Sequence, residues 1–153
     1  MINILDLISK TIQDYINNTG LDLNFKVFNP LMDDGSYMNL LDQRLFFENA
    51  HTIVGPRGSA LLSCFWSKRF TDKTLPPLNI IEFTQCESEI SKIISTNDND
   101  HRLRTGDDLG LWAQLSRDYN YQLSHLFYYI ENSNDSYIYI NTEHLILLLN
   151  KIN

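Results

Sequence analysis

A short glycine-containing segment offers the clearest chemistry in this sequence. Residues 51–54 favour a strand, Gly55-Pro56-Arg57-Gly58 predicts a turn, and the apolar run 59–66 favours a buried helix. Glycines let a ligand approach the backbone without a Cβ in the way. The free N–H groups and dipole of a helix start attract a phosphate, to which Arg57 and the hydroxyl of Ser59 add contacts. The pattern predicts a diphosphate-binding turn; a plain strand-to-helix connection is the alternative that the residues leave open.

Other signatures of nucleotide or metal chemistry are missing. The sequence contains neither GxGxxG nor GxxxxGK[ST], which disfavours dinucleotide and P-loop sites. The two cysteines lack CxxC spacing, and we expect both to be reduced and in or near the core. The histidines are scattered without zinc-ligand spacing, at His51, His101, His125 and His144. We therefore predict no metal site and no cofactor.

The elements that would position this turn alternate between helix and strand. Hydrophobic periodicity and capping residues predict helices over 3–18, 36–49, 59–66, 107–118 and 142–151. Strands are predicted over 23–28, 51–54, 78–83, 121–130 and 136–140. Gly20 suits the end of the first helix, and Ser36 and Asn141 are predicted helix caps. This order is typical of an α/β domain with a mainly parallel sheet and helices packed on it.

Length and charge narrow the classes of function. The 153 residues suit a single domain, and 43% hydrophobic residues are enough for a core. A net charge of −7 disfavours nucleic-acid binding, which needs a basic surface. No apolar run reaches the roughly 18 residues of a membrane span. Because Asp6 interrupts the first ten residues, they predict an amphipathic helix and no signal peptide, so a cytoplasmic location is favoured over secretion.

Several segments form an ordered set along the chain: LDQ (41–43), FENA (47–50), IVGPRGSAL (53–61) and IIE (80–82). Two later ones are the stretch from Leu111-Trp112 to Tyr119-Asn120-Tyr121, and YIYIN (137–141) with the Leu-rich helix after it. In this order the set resembles the conserved block of glycosyltransferase family 61, the group that includes capsular polysaccharide transferases and O-GlcNAc transferases of EGF domains. The similarity runs from about residue 20 to the end of the chain.

This resemblance implies a fold and a donor site. Family members have a GT-B-like architecture, in which two Rossmann-like domains face each other and a nucleotide sugar lies mainly against the C-terminal one. We therefore expect residues 1–153 to form a single three-layer Rossmann-like domain of that C-terminal type. The residues expected to border the donor, a UDP-sugar, are Gly55, Arg57, Gly58, Ser59 and Glu82. Glu82 is the candidate for the ribose hydroxyls, and a strand-end carboxylate in water or at a helix cap is the alternative.

The sequence also departs from the family. Arg57 stands where the family has His, and Ala60 where it has Gly. Arginine can hold a phosphate but cannot shuttle a proton at ordinary pH. We expect these residues to contain no counterpart of the family's N-terminal acceptor domain, and no catalytic residue can be named, so transfer would need a partner domain or a homo-oligomer to complete the cleft. The functions left open are a glycosyltransferase or its donor-binding subunit, a non-catalytic remnant acting as a binding or scaffold module, and an unrelated Rossmann-like enzyme.

Overall fold

The computed structural model describes residues 4–56, 59–85, 118–131 and 137–153. Its helices are α1 (Ile4–Thr19), α2 (Leu40–Phe47), a 3₁₀ helix (Ser59–Trp66), α3 (Lys68–Thr71) and α4 (Thr142–Ile152). Its strands are β1 (Thr52–Pro56), β2 (Leu78–Gln85), β3 (Tyr121–Glu131) and β4 (Tyr137–Ile140). None of the helices in these ranges combines the length and apolar character needed to cross a membrane. The chain is a mixed α/β protein, as the sequence predicts.

The four strands form one sheet in the order β1-β2-β3-β4. Strands β1, β2 and β3 are parallel, whereas β4 pairs with β3 in the antiparallel sense. Helical segments follow β1 before the chain returns to β2, which is the way that parallel neighbours are connected. The predicted mainly parallel sheet is therefore confirmed.

Helices cover both faces of this sheet. On one face α1 and α4 pack against alternate strand residues such as Ile81, Phe83 and Leu126. On the other face α2, the 3₁₀ helix and α3 pack against a second cluster that includes Ile53 and Ile80. Because successive strand residues point to opposite faces, Ile80 and Ile81 belong to different clusters. The result is three layers, compatible with a Rossmann-like fold.

Local sequence signals fix the ends of the longer helices. Gly20 adopts a left-handed φ of 67° directly after α1, which is the conformation that the end of a helix requires. The side chain of Asn141 caps α4 by accepting a hydrogen bond of 3.0 Å from the backbone N–H of His144. Both features were predicted from the sequence and are confirmed.

Three expectations are wrong. Residues 23–28 form no strand; Phe25 packs against the α1 face and Phe28 against the α2 face, because this segment carries the chain from one face to the other. Asn39, not Ser36, caps α2, with its side chain accepting from the N–H of Asp42. Strand β1 does not end at residue 54 but includes Gly55 and Pro56. The predicted helix over 107–118 lies outside the described residues except for its last position.

Candidate functional site

Three residues of neighbouring strands stand side by side near the carboxyl end of β1. Gly55 of β1 is the register partner of Glu82 in β2, and Glu82 is the register partner of His125 in β3. All three lie on the face that the 3₁₀ helix covers, because each is two residues beyond a member of that cluster, at Ile53, Ile80 and Leu123. In open parallel sheets the carboxyl ends of the strands are where ligands bind. We refer to Gly55, Glu82 and His125 as the carboxyl-end row, after the end of β1; β2 continues to Gln85 and β3 to Glu131.

Gly55 contributes to this row in a way that the sequence did not predict. It is a buried strand residue, and its φ is not left-handed. A Cβ at this position would lie 3.4 Å from Cδ2 of Leu61, an ordinary van der Waals contact with the 3₁₀ helix. The side of Gly55 that a ligand could have approached is therefore already covered by Leu61.

The predicted phosphate-binding residues follow β1 directly. Pro56 is the exposed last residue of the strand, and Ser59 is the first residue of the 3₁₀ helix. Arg57 and Gly58 lie outside the described residues. The helix start is therefore at the carboxyl edge of the sheet, on the side where the sequence predicted it.

Glu82 is not a strand-end carboxylate in water. Its side chain is 2% exposed, and its Oε2 lies 3.3 Å from Nδ1 of His125, whose side chain is 13% exposed. Burying an ionised carboxylate costs several kcal/mol unless a hydrogen-bonding or charged partner compensates. The imidazole of His125 supplies one such partner from the neighbouring strand.

His125 is the site residue that sequence reasoning missed. It was one of several scattered histidines, and its distance from Glu82 in the chain gives no hint of contact. Only the parallel register of β2 with β3 brings the two side chains together. The one signal available beforehand was the predicted strand 121–130, which carries His125 in phase with its inward-facing Tyr121 and Leu123.

An open groove of about 640 Å³ lies elsewhere, between α2 and the end of the 3₁₀ helix with α3. Its lining includes Leu41, Arg44 and Lys68 and none of the predicted donor residues. The 3₁₀ helix ends beside the segment that precedes β1, since Ser67 Oγ donates to the carbonyl of Ala50 at 3.1 Å. The groove is thus at the amino end of the sheet, opposite the carboxyl-end row.

Two basic residues, Lys68 and Arg69, also lie at that amino end. Lys68 Nζ is 3.4 Å from Oε1 of Glu48, and Nη1 of Arg69 donates to the carbonyl of Pro76 at 3.3 Å. Burial, and secondarily the nearby Arg69, lower the pKa of His51, which precedes β1 and is half-buried. These residues do not extend the diphosphate site.

The described residues offer neither a cysteine thiolate nor a cluster of metal ligands. Burial raises the pKa of the Cys64 thiol to about 12, so the thiol stays protonated at ordinary pH and cannot act as a thiolate. No group of three or more potential ligands among His, Cys, Asp and Glu lies close enough there to hold a metal ion. Cys86 lies outside the described residues.

Comparisons with protein-family models, with curated proteins and with solved structures find no match to this chain. The resemblance to glycosyltransferase family 61 therefore stays a hypothesis carried by the sequence segments alone.

Proposed function

We propose that this chain is a nucleotide-sugar-binding domain of glycosyltransferase type, related to family 61 and to one half of a GT-B enzyme. The ligand is a UDP-sugar that lies at the carboxyl ends of β1 and β2. The observation that carries this proposal is the strand-to-helix connection. Strand β1 ends at Pro56 and a helix begins at Ser59, beside a buried carboxylate on the next strand. A helix that begins just after the carboxyl end of a parallel strand supports this proposal, because α/β domains bind phosphate with the N–H groups of such a helix start.

The charge of the diphosphate needs a counterpart in this acidic protein. Of the residues in the connection, Arg57 is the one that carries a positive charge, and a guanidinium can bind two phosphate oxygens at once. Gly55, Gly58 and Ser59 border the same connection, and Glu82 lies behind it in the sheet. Transfer by an inverting mechanism would also need a base for the acceptor, which a partner domain or a second copy of the chain would complete.

Calorimetric titration with UDP, UDP-N-acetylglucosamine, GDP and a CMP-sugar tests the proposal. We expect the uridine nucleotides to bind and Arg57→Ala to weaken UDP binding roughly tenfold to a hundredfold, the contribution of hydrogen bonds to a charged group. Arg44→Ala is the matched control, since it removes the same charge from an exposed position in the groove at the amino end. Equal losses in both variants, or no binding of any nucleotide, would overturn the proposal.

One observation favours a second candidate, a non-catalytic binding module. Helix α2 exposes three leucines, with 69% of Leu40, 62% of Leu41 and 53% of Leu45 accessible. Large apolar side chains exposed together on one short helix suit contact with another protein. Under this alternative the wild-type chain binds none of the four nucleotides, so the same titration separates the two functions.

A further inference from the structure

Helix α2 is apolar on its outer side as well as on its inner side. Phe46 and Phe47 belong to the core cluster beneath the helix, whereas Leu40, Leu41 and Leu45 are each more than half exposed. A helix that is apolar all round is normally buried on all sides. The outer side of α2 therefore has the composition of a contact surface.

The groove beside α2 is lined mainly by apolar side chains and is open to solvent. Leu40 and Leu41 line it from α2, and Phe65 and Trp66 line it from the end of the 3₁₀ helix. Small-molecule pockets bury most of the surface of their ligand, whereas here both leucines remain largely accessible, and Leu45 extends the apolar surface beyond the groove. Such a groove suits the apolar side of a helix from another chain.

The groove also has one charged group to spare. Lys68 lies 3.4 Å from Glu48, and the hydroxyls of Ser67 and Thr71 donate to backbone carbonyls. Of the charged and hydroxyl side chains that line the groove, Arg44 alone makes no hydrogen bond or ion pair within the described part of the chain. Because Glu48 offsets Lys68, the charge of Arg44 is left over. The groove therefore fits a partner that brings apolar side chains and one carboxylate.

The outer side of α4 carries this complementary set of side chains. Leu145 and Leu148 are buried on the inner side, whereas Glu143, Ile146 and Leu147 are exposed. Residues three and four positions apart share one side of a helix, so the carboxylate lies one turn before the two apolar side chains. The side chain of Glu143 forms no hydrogen bond or ion pair with any residue that the structure describes. We refer to Glu143, Ile146 and Leu147 as the α4 stripe.

We infer that the groove is occupied by a second copy of this chain, whose α4 stripe packs against Leu40 and Leu41 and whose Glu143 pairs with Arg44. Helices α2 and α4 cover opposite faces of the sheet. The contact is therefore head-to-tail, and it lets more than two copies join in sequence. It uses none of the residues proposed to bind the nucleotide sugar, so the self-association and the proposed function stand or fall separately.

The net charge of −7 determines the conditions in which to look for this contact. Acidic copies repel each other over long distances, and at about 0.15 M salt the Debye length of about 8 Å screens this repulsion more than it screens a close ion pair. One helix in a groove is a small interface, so we expect weak association. Sedimentation equilibrium should show the average mass of the wild type rising beyond that of a dimer as its concentration increases from about 10 μM to about 1 mM. A wild type that remains a monomer, or stops at a dimer, would overturn the inference.

Charge reversal tests the ion pair. Arg44→Glu and Glu143→Arg each place like charges opposite each other and should weaken self-association about tenfold or more. Glu143→Arg also makes the chain less acidic, so general repulsion alone would predict stronger association in this variant. The double variant R44E/E143R restores an opposite pair and should associate like the wild type. Lys26→Glu, at an exposed position outside both surfaces, is the matched control for Arg44→Glu and should have little effect. Failure of the double variant to recover would contradict the pairing.

A mixture of two defective variants tests the head-to-tail geometry. Leu41→Asp disrupts the groove and keeps the α4 stripe, whereas Leu147→Asp does the reverse. Both leucines are exposed, so both variants should fold, which circular dichroism checks. Each variant alone should remain a monomer, and an equimolar mixture should form a 1:1 dimer that grows no further, because a single intact contact is left. A mixture that remains monomeric, or a single variant that associates as strongly as the wild type, would show that the α4 stripe does not occupy the groove.

Discussion

Replacing Asn120 should destabilise the domain far more than its half-exposed position suggests. Its backbone joins two parts of the chain, because its N–H donates to Phe70 O at 2.8 Å and its carbonyl accepts from Leu78 N at 3.1 Å. Its side-chain Nδ2 lies within hydrogen-bond distance of three further carbonyl oxygens, those of Arg69 (3.1 Å), Asp72 (3.1 Å) and Leu75 (2.9 Å). Asn120 directly precedes β3, so this residue ties the start of the strand that carries His125 to the loop after α3.

The structure sets the size of the effect. An amide has two N–H hydrogens, so three carbonyl acceptors share them and the side chain contributes about two hydrogen bonds. At about 1 kcal/mol each, Asn120→Ala should lower the free energy of unfolding by about 2 kcal/mol. Asn120→Asp should cost about 3 kcal/mol or more, because a carboxylate has no hydrogen to donate and would face three carbonyl oxygens.

Urea denaturation followed by circular dichroism measures both changes. With a slope of about 2 kcal/mol per molar urea, Asn120→Ala should lower the midpoint by about 1 M, and Asn120→Asp by more. The same two substitutions at the exposed Asn24 are the control and should shift the midpoint little. If Asn120→Asp proves milder than Asn120→Ala, the amide oxygen rather than Nδ2 faces the loop, and the reasoning is refuted.

Two further predictions concern the carboxyl-end row and α4. Gly55→Ala should change the free energy of unfolding by less than about 1 kcal/mol, because the added Cβ makes an ordinary contact with Leu61. Gly55→Val should lower the free energy of unfolding by about 1–3 kcal/mol, because its larger side chain overpacks the same space. Thermal unfolding of the two variants measures the difference, and equal midpoints would contradict the prediction. Burial lowers the pKa of His144 below its ordinary 6.5, and its buried Nδ1 has no hydrogen-bond partner among the described residues. As the pH falls, the His144 ring of the unfolded chain is protonated before that of the folded chain. The stability contributed by the neutral ring is therefore fully present above pH 6.5, and it is lost as the pH falls through the lower pKa of the folded state. In urea titrations between pH 7 and pH 5, His144→Leu should reduce this acid-induced loss of stability. It should not abolish the loss, since the pKa of His51 is also lowered. If stability depends on pH in the variant as steeply as in the wild type, the prediction is contradicted.

The elements that the sequence predicts correctly are those with a local signal. Helix α4 has an Asn cap and leucines at helical spacing, and α1 ends at a glycine. Strands β2 and β3 are rich in aliphatic and aromatic residues, and β2 begins directly after Pro76-Pro77. Residues 23–28 alternate between apolar and polar side chains, but Phe25 and Phe28 pack against two different faces, and none of the described strands pairs with this segment. Alternation shows which side chains are inward, not whether a partner strand exists.

Only the part of the candidate site whose residues are close together in the chain could be predicted from the sequence. The position of the strand-to-helix connection followed from the order of residues 51–66. The partner of Glu82 did not, because it depends on β3 lying next to β2 with Leu78 opposite Tyr121, which places Glu82 opposite His125. A shift of the register by one residue would put His125 on the other face of the sheet. Such long-range pairing has no signature in a single sequence.

The two ends of the sheet differ in what their polar groups accomplish. At the amino end, hydrogen bonds tie backbone to backbone: Lys68 N donates to Glu48 O at 2.9 Å, and Asn79 N to His51 O at 3.0 Å. These bonds satisfy the chain where it enters β1 and β2, and they have a structural explanation. The Glu82–His125 contact differs in kind, because it joins two ionisable side chains inside the sheet, and apolar residues of similar volume often stabilise a protein as well as a buried ion pair does. A buried ionisable pair level with the carboxyl end of β1, where open parallel sheets bind ligands, is therefore the feature of this domain for which a functional explanation is most needed.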